Sequence, residues 1–213
     1  MKLNGFNSNR NPSTIRGDCA SPVKENEYMK ATALFGIIPL LLVFGCIQKQ
    51  SAPSPSDLIK EEKSVAGVTW SHPMKWERSH DMPMRVTTYV IPSGLEDVDP
   101  GECSVFYFGK DQGGDVDANI LRWGTQFEGA TEAQKTTSMV RDMQVVYARI
   151  FGTYLSPAGP QMESQGKKPG YKLLGAIVSA PEGNVFFKFT GPALMIEQHE
   201  KEFYTMIESI QKQ

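Results

Sequence analysis

The sequence predicts an α+β domain, in which a largely antiparallel sheet of about six strands carries a helix on each face. Apolar side chains occupy both faces of the best strand candidates, with Val105 and Tyr107 on one side and Phe106 and Phe108 on the other. Such a sheet must be covered on both sides, because a half-exposed antiparallel sheet alternates apolar and polar residues. Two segments with helical periodicity supply the cover, and a clear turn joins the last two strands.

The strand candidates are rich in β-branched and aromatic residues and are bounded by turn residues. They are residues 66–70, 85–91, 103–109, 143–155, 171–180 and 184–190. The last two flank Pro181-Glu182-Gly183, where Pro sets φ and Gly permits a tight turn, so we expect a hairpin.

Two segments have apolar residues at helical spacing. The first segment carries Val116, Ile120, Trp123 and Phe127 on one face. The second ends the chain, and its apolar face comprises Ile196, Phe203, Met206, Ile207 and Ile210. We expect each helix to cover one face of the sheet.

The acidic residues at the start of the first helix allow two interpretations. Asp115, Asp117 and Asn119 place oxygen atoms at alternate positions, as calcium loops do. Counted from Asp115, however, the sixth position is Ile120 rather than Gly, and the twelfth is Gln126 rather than Glu. Capping of the helix, in which carboxylates accept free backbone N–H groups, is the simpler explanation.

The beginning of the chain predicts export. Residues 1–28 are polar and aperiodic, and we interpret them as a wrongly assigned upstream extension, with translation starting at Met29. The alternative is a start at Met1 with an unusually long leading region. Residues 29–45 have the pattern of a lipoprotein signal peptide, because the apolar run 33–44 is too short to span a bilayer of about 30 Å.

The signal ends in Val43-Phe44-Gly45-Cys46, which resembles the bacterial lipobox. The resemblance implies diacylglycerol on the sulfur of Cys46, cleavage before Cys46 and acylation of the new N-terminus. Several acyl chains anchor a protein stably, whereas one chain binds only marginally. An uncleaved anchor or a plain secretory signal is the alternative.

The amino-acid composition after the signal peptide predicts a tether followed by a globular domain. Residues 46–63 comprise the lipidated Cys and a polar, proline-containing segment, and they predict a disordered tether. Residues 64–213 predict a single globular α/β domain. Ile47 stands where an Asp commonly retains lipoproteins at the inner membrane, so the sequence favours the periplasmic face of the outer membrane.

Charge and cysteine usage exclude several classes of function. After residue 46 the chain carries 17 basic and 21 acidic residues, a net charge of −4, so there is no basic footprint for nucleic acid. Cys103 is the only Cys of the domain, so an internal disulfide is impossible. Its flanking residues contain no base that would activate it, and we expect a buried apolar role.

The order of elements resembles the PsbP extrinsic photosystem protein and the Mog-type Ran-binding protein. It also resembles uncharacterised exported bacterial domains with Gly-Gly-Asp-x-x-x-Asn before a helix that contains Arg-Trp and Gln-Phe. The matching residues are Gly113, Gly114, Asp115, Asn119, Arg122, Trp123, Gln126 and Phe127. The resemblance covers about residues 65–211 and implies a PsbP-like α/β/α sandwich. It transfers no functional residue, because a fold does not fix an activity.

The sequence favours a non-catalytic binding or accessory module of the cell envelope, held at the membrane through Cys46 and serving a protein partner. No catalytic motif is recognisable, and no cofactor is predicted. The long connection 156–170 is the candidate partner-binding segment, because such connections are functional or disordered.

The alternative function is an exported Cu(I)-handling module. Thioether and imidazole groups suit Cu(I), and they cluster at His72, Met74, His80, Met82 and Met84. The competing explanation is structural, because Met is a common gap filler. The exported-domain resemblance includes Trp70, Pro73, Trp76, Met84 and Arg85 in this region, which also favours packing.

Overall fold

The computed structural model describes residues 57–61, 64–80, 82–130, 132–156 and 166–213. The predictions for the signal peptide, the translation start, Cys46 and most of the tether lie outside these residues. All described residues belong to one compact unit. Within the described ranges, every helix is too short or too polar to cross a membrane.

The strands and helices follow one another in the order strands, α1, strands, α2 and a last short strand. The strands are β1 (Leu58–Lys60), β2 (Val68–Thr69), β3 (Ser71–Pro73), β4 (Glu77–Arg78), β5 (Thr87–Ile91), β6 (Gly101–Tyr107), β7 (Phe127–Glu128), β8 (Gln134–Val140), β9 (Met143–Leu155), β10 (Lys167–Ala180), β11 (Gly183–Pro192) and β12 (Gln211–Lys212). The helices are α1 (Val116–Gly124) and α2 (Ala193–Glu208).

The main sheet is antiparallel and has the order β4-β5-β6-β11-β10-β9-β7, with β8 also paired to β9. The prediction of a largely antiparallel sheet is confirmed, but the sheet has eight strands rather than about six. The predicted hairpin is also confirmed, because Ala180 pairs with Gly183 across the turn between β10 and β11.

The turn between β8 and β9 explains why one long strand was missed. Val140 pairs with Met143, so Arg141 and Asp142 form a two-residue turn with φ of 45° and 61°. Positive φ at two central residues matches the twist of the strands, but it is usually supplied by Gly or Asn. The sequence Arg-Asp therefore does not indicate a hairpin.

The two faces of the sheet contact separate apolar clusters. Val105, Tyr107 and the α2 residues belong to one cluster, and Phe106, Phe108 and the α1 residues belong to the other. The prediction that both faces are apolar is confirmed. We call these faces the α2 side and the α1 side.

The prediction that one helix covers each face is not met. The 16-residue α2 and the indoles of Trp70 and Trp76 close the α2 side. On the other side α1 has nine residues and covers only part of the sheet. Trp123, 4% exposed, lies against Gly175 there, and the part of that side around Phe106 and Lys188 is open.

The folded part of the chain begins earlier than residue 64, where the domain was expected to start. β1 lies within the stretch 46–63 that was predicted as a disordered tether. It pairs with β3, where Ile59 lies opposite His72. Glu61 is buried and accepts hydrogen bonds from Tyr89 and Arg78. These contacts hold the end of the predicted tether against the domain.

Capping of α1 by an acidic residue is confirmed. Asp115 Oδ1 accepts hydrogen bonds from the backbone N–H groups of Asp117 and Ala118, at 2.8 and 3.0 Å. Asn119 Nδ2 donates to the carbonyl oxygens of Gly113 and Asp115, at 2.7 and 2.8 Å. The Gly-Gly-Asp-x-x-x-Asn pattern thus builds the beginning of α1.

Candidate functional site

The open part of the α1 side forms a groove between α1 and strands β5, β6 and β11. It consists of two adjoining lobes of about 470 and 330 Å³. Phe106, Gln126 and Lys188 line both lobes. These volumes lie in the range of small-molecule sites, which is about 300–1,000 Å³. We call this feature the α1 groove, with a larger polar lobe and a smaller aromatic lobe.

Lys188 lies on the floor of the α1 groove. It belongs to β11, in the middle of the sheet, and its neighbours Phe187 and Phe189 are fully buried on the α2 side. Because side chains alternate along a strand, Lys188 points to the α1 side. It pairs with Gly175 across the sheet, and the absent side chain there leaves room for Trp123.

The ammonium group of Lys188 has neutral partners. Nζ donates to Gln126 Oε1 at 2.5 Å and lies 5.4 Å from the ring centroid of Tyr154. None of the described carboxylates forms an ion pair with it. Lys188 is therefore a largely enclosed cation without a direct counter-ion.

Burial lowers the pKa of Lys188 to about 8, because the charged form loses hydration. The negative charge of Glu102 opposes this shift, and the charges of Arg85 and Arg122 add to it. With a pKa one unit above neutral, about nine-tenths of the Lys188 side chains are protonated at pH 7. The groove thus contains a positive charge under ordinary conditions.

A hydrogen-bonded cluster forms one wall of the polar lobe. Arg85 Nη1 donates to Glu102 Oε1 and Ser104 Oγ, both at 2.7 Å, and to Thr88 Oγ1 at 3.2 Å. Ser104 Oγ donates to the same Glu102 oxygen at 2.7 Å. The guanidinium also lies 5.7 Å from the ring centroid of Phe106. Glu102 thereby neutralises Arg85 within the groove.

The opposite end of the polar lobe holds a second neutralised cation. Lys168 Nζ and Tyr171 Oη donate to Asp99 Oδ2, at 3.1 and 2.6 Å. The bonds from Tyr171 and Lys168 lower the pKa of Asp99, while burial and Asp99 raise the pKa of Tyr171. The hydroxyl of Thr190, also in this lobe, is buried and makes no hydrogen bond to any described residue.

The aromatic lobe has an apolar wall and a cation at its edge. The ring of Phe108 lies 6.2 Å from that of Phe106 and 5.6 Å from that of Phe186, measured between centroids. Arg122, on the last turn of α1, donates to Asn119 Oδ1 at 2.6 Å. It makes no ion pair with a carboxylate of the described ranges. The lobe can therefore accept an apolar group beside a positive charge.

The structure places two residues of the Cu(I) hypothesis, His72 and Met84, on opposite sides of the sheet. His72 is buried on the α2 side, where its ring lies 4.6 Å from that of Tyr89 and Nδ1 is 3.0 Å from the carbonyl oxygen of Pro73. Met84, in contrast, lines the aromatic lobe on the α1 side.

Met74, His80 and Met82 are exposed. Across the described ranges, no three His, Cys, Asp or Glu residues are grouped so that they could hold a metal. The Cu(I) hypothesis thus gains no support from the placement of its residues.

Sequence reasoning did not single out the α1 groove as a site, although Met84 was a candidate Cu(I) ligand and Ser156 and Lys168 belong to the candidate partner-binding segment 156–170. Arg85, Arg122 and Gln126 were named only as parts of the exported-domain pattern. Lys188 was not singled out, although it is the one charged residue in the run Val-Phe-Phe-Lys-Phe of a central strand. A Lys with buried neighbours on a central strand is unusual, because charged residues are rarely buried without a partner. That signal could have indicated the site.

Comparison with known proteins bears on the fold. No family model matches the chain, and no curated protein matches it. Among solved structures, cyanobacterial PsbP (CyanoP) from Synechocystis sp. PCC 6803 matches with a TM-score of 0.50 and 10% identity, over 79% of this chain and 100% of that chain. The domain has a PsbP-like fold.

This result confirms the PsbP-like part of the sequence prediction. At 10% identity the likeness extends to the fold alone. PA94 from Pseudomonas aeruginosa, a protein of unknown function, matches with a TM-score of 0.42 and 8% identity, over 73% of this chain and 97% of that chain. That likeness is too small to support an argument. The PsbP-like fold therefore does not identify a function, and the functional proposal depends on the geometry of the groove.

Proposed function

We propose that this chain is a lipid-anchored, non-catalytic module of the cell envelope that binds an anionic group in the α1 groove. The observation that carries the proposal is Lys188, a largely enclosed ammonium whose hydrogen-bond partner is the neutral side chain of Gln126. Removing a charge from water is unfavourable unless a group of opposite charge compensates. A bound anion would supply that compensation.

The surroundings of Lys188 suit such a ligand. Gln126 holds the ammonium from one side, and the Thr190 hydroxyl, two residues along the same strand, has a free hydrogen-bonding capacity. Both lobes of the groove open to solvent beside Lys188, so a ligand can reach it. Polar groups that converge on one point in a largely apolar cleft are the usual features of a ligand site.

The membrane part of the proposal rests on the sequence. The signal peptide of residues 29–45 and the lipobox ending at Cys46 support export and lipidation, and Ile47 favours the periplasmic face of the outer membrane. A short tether would keep the groove close to the membrane. The protein partner or other envelope component that presents the anion would then lie at the same surface.

The test of anion binding uses the full chain, purified from membranes in a non-ionic detergent. The unfolding temperature is measured with increasing acetate or inorganic phosphate, against sodium chloride at equal ionic strength. A ligand that binds only the folded state raises this temperature in a concentration-dependent way. We expect a rise for the wild type, a rise of similar size for Lys110→Met, and none for Lys188→Met.

Lys110→Met is the matched control, because it removes the same charge at an exposed position outside the groove. A rise of equal size in Lys188→Met and wild type would mean that the anions act on the protein surface in general. A wild type whose unfolding temperature responds neither to these two anions nor to the larger carboxylate benzoate would also refute the proposal.

A further inference from the structure

We propose that the ligand of the α1 groove is amphipathic: a singly charged carboxylate that contacts Lys188, with an apolar ring or chain seated in the aromatic lobe. This inference rests on the proposed function and specifies its ligand. It follows from three features, which are the position of Lys188, the balance of charge in the groove and the chemistry of the aromatic lobe.

Lys188 lies at the boundary between the two lobes. Together with Phe106 and Gln126 it lines both of them, so a group bound to Nζ has polar surface on one side and aromatic surface on the other. A small inorganic anion would use the polar side and leave the aromatic lobe empty. A carboxylate with an apolar substituent contacts both surfaces at once.

The balance of charge favours a monoanion. Glu102 neutralises Arg85, and Asp99 neutralises Lys168, through direct ion pairs. Lys188 and Arg122 are the lining cations that remain without an ion pair to a described residue, and only Lys188 is enclosed. The charge of Glu102 acts on Lys188 and would repel a doubly charged group more strongly than a carboxylate.

The aromatic lobe suits an apolar substituent. Its wall consists of Phe106, Phe108, Phe186 and Trp123, and its volume is about 330 Å³. Met84 lies at its edge with 78% of its surface exposed, which leaves a large apolar side chain in water. A flexible thioether side chain adapts readily to an apolar ligand, so it can close over a ring or short chain.

The backbone at Met84 adds a second observation. Its φ is 64°, a left-handed conformation that a non-Gly residue rarely adopts. The turn is held by a hydrogen bond of 3.2 Å from Arg85 N to the carbonyl oxygen of Met82. Backbone strain of this kind occurs often at ligand-binding segments. Met84 lines the aromatic lobe and Arg85, the next residue, lines the polar lobe, so this turn contributes to both lobes.

The experiment measures how tightly each of four soluble probes binds to the full chain in non-ionic detergent. Benzoate carries the charge and the ring, acetate carries the charge alone, benzyl alcohol carries the ring alone, and inorganic phosphate is a small anion without an apolar part. We expect benzoate to bind at least tenfold more tightly than acetate, phosphate or benzyl alcohol. In the series from acetate to hexanoate, affinity should rise about fourfold per methylene group, because each buried methylene contributes about 0.8 kcal/mol.

Two variants test separately whether the protein recognises the carboxylate and the apolar group of the ligand. Lys188→Met should weaken benzoate at least tenfold and leave benzyl alcohol unchanged. Met84→Ser, at an exposed position, should weaken benzoate and leave acetate unchanged. Far-ultraviolet circular dichroism and the unfolding temperature establish that each variant is folded, and Lys110→Met again controls for the loss of one charge.

The outcomes distinguish this inference from the proposed function. If acetate or phosphate binds as tightly as benzoate, and Lys188→Met abolishes that binding, the groove is an anion site and the amphipathic ligand is refuted. If benzyl alcohol binds as tightly as benzoate, the carboxylate is not recognised, which also refutes the inference. If none of the probes binds, both proposals fail.

Discussion

Replacing Lys188 with Met should stabilise the protein in the absence of ligand. Folding lowers the pKa of Lys188 from 10.5 to about 8, and each pKa unit corresponds to about 1.4 kcal/mol, so the buried charge costs about 3 kcal/mol at pH 7. The substitution also removes the hydrogen bond to Gln126, which is equivalent to about 1 kcal/mol. Water in the open groove reduces the penalty further, so we expect a net gain of about 1–2 kcal/mol.

The gain should depend on pH in a defined direction. Below pH 8 the Lys188 side chain is protonated in both the folded and unfolded chains, and the wild type carries the full penalty. Between pH 8 and 10.5 the folded chain releases its proton first, so the wild type becomes more stable relative to the variant. The stability difference should therefore shrink over this range and be nearly absent above it.

The charged groups that act on Lys188 are Glu102, Arg85 and Arg122, and burial raises the pKa of Tyr154, whose ring faces Nζ, to about 12. The pH dependence of the difference between wild type and variant thus reports mainly on Lys188. Titrations elsewhere in the chain occur equally in both proteins and cancel in the comparison.

The assay is urea unfolding followed by tryptophan fluorescence at pH 7 and at pH 9.5, with Lys110→Met as the control. The control should differ from wild type by less than about 0.5 kcal/mol, since it is an exposed residue away from special contacts. A Lys188→Met variant less stable than wild type at pH 7 would show that the ammonium group of Lys188 does not destabilise the folded state. A stability gain that stays constant from pH 7 to 9.5 would refute the assignment of that gain to its charge.

Three further predictions concern packing, capping and anchoring. Gly175→Ala should lower the free energy of unfolding by about 2 kcal/mol in urea denaturation, because its Cβ would lie 2.2 Å from Cζ3 of Trp123; an unchanged value would mean that the indole does not rest there. Asp115→Ala should cost about 1 kcal/mol in the same assay by removing the N-cap of α1, and Asp115→Asn should recover most of that loss. Mass spectrometry should find an acylated Cys46 at the N-terminus of the membrane-extracted chain, and Cys46→Ser should leave the membrane fraction; recovery of that variant with membranes at the wild-type level would rule out the lipid anchor.

The elements with strong local signals were predictable. The strand 143–155 was predicted with the bounds that the structure shows, the hairpin turn at residues 181–183 is confirmed, and Trp123 is buried on the apolar face of α1. In each case the signal is contained in a few consecutive residues. A β-branched run, a Pro-Glu-Gly turn and a spacing of three or four residues each reflect local steric preferences.

The missed elements depend on partners that are distant in sequence. β4 and β7 contain two residues each, and they are strands because they lie beside β5 and β9. β1 similarly exists through its pairing with β3, so the predicted boundary at residue 64 was too late. Short segments of this kind carry no periodicity of their own, and backbone hydrogen bonds to a neighbouring strand decide their conformation.

The sequence by itself determined the α+β class, the antiparallel sheet with two apolar faces and the acidic cap of α1. Only the tertiary structure decided where α1 leaves the sheet uncovered, and which side chains line that opening. Arg85, Gln126 and Lys188 come from three separate segments, and the strand order β5-β6-β11-β10-β9-β7 brings them to one groove. Local preferences act over a few residues, whereas the register of a sheet is set by packing among strands far apart in the chain. The place of Lys188 beside Gly175 and Ser104 therefore could not be read from its neighbours in sequence.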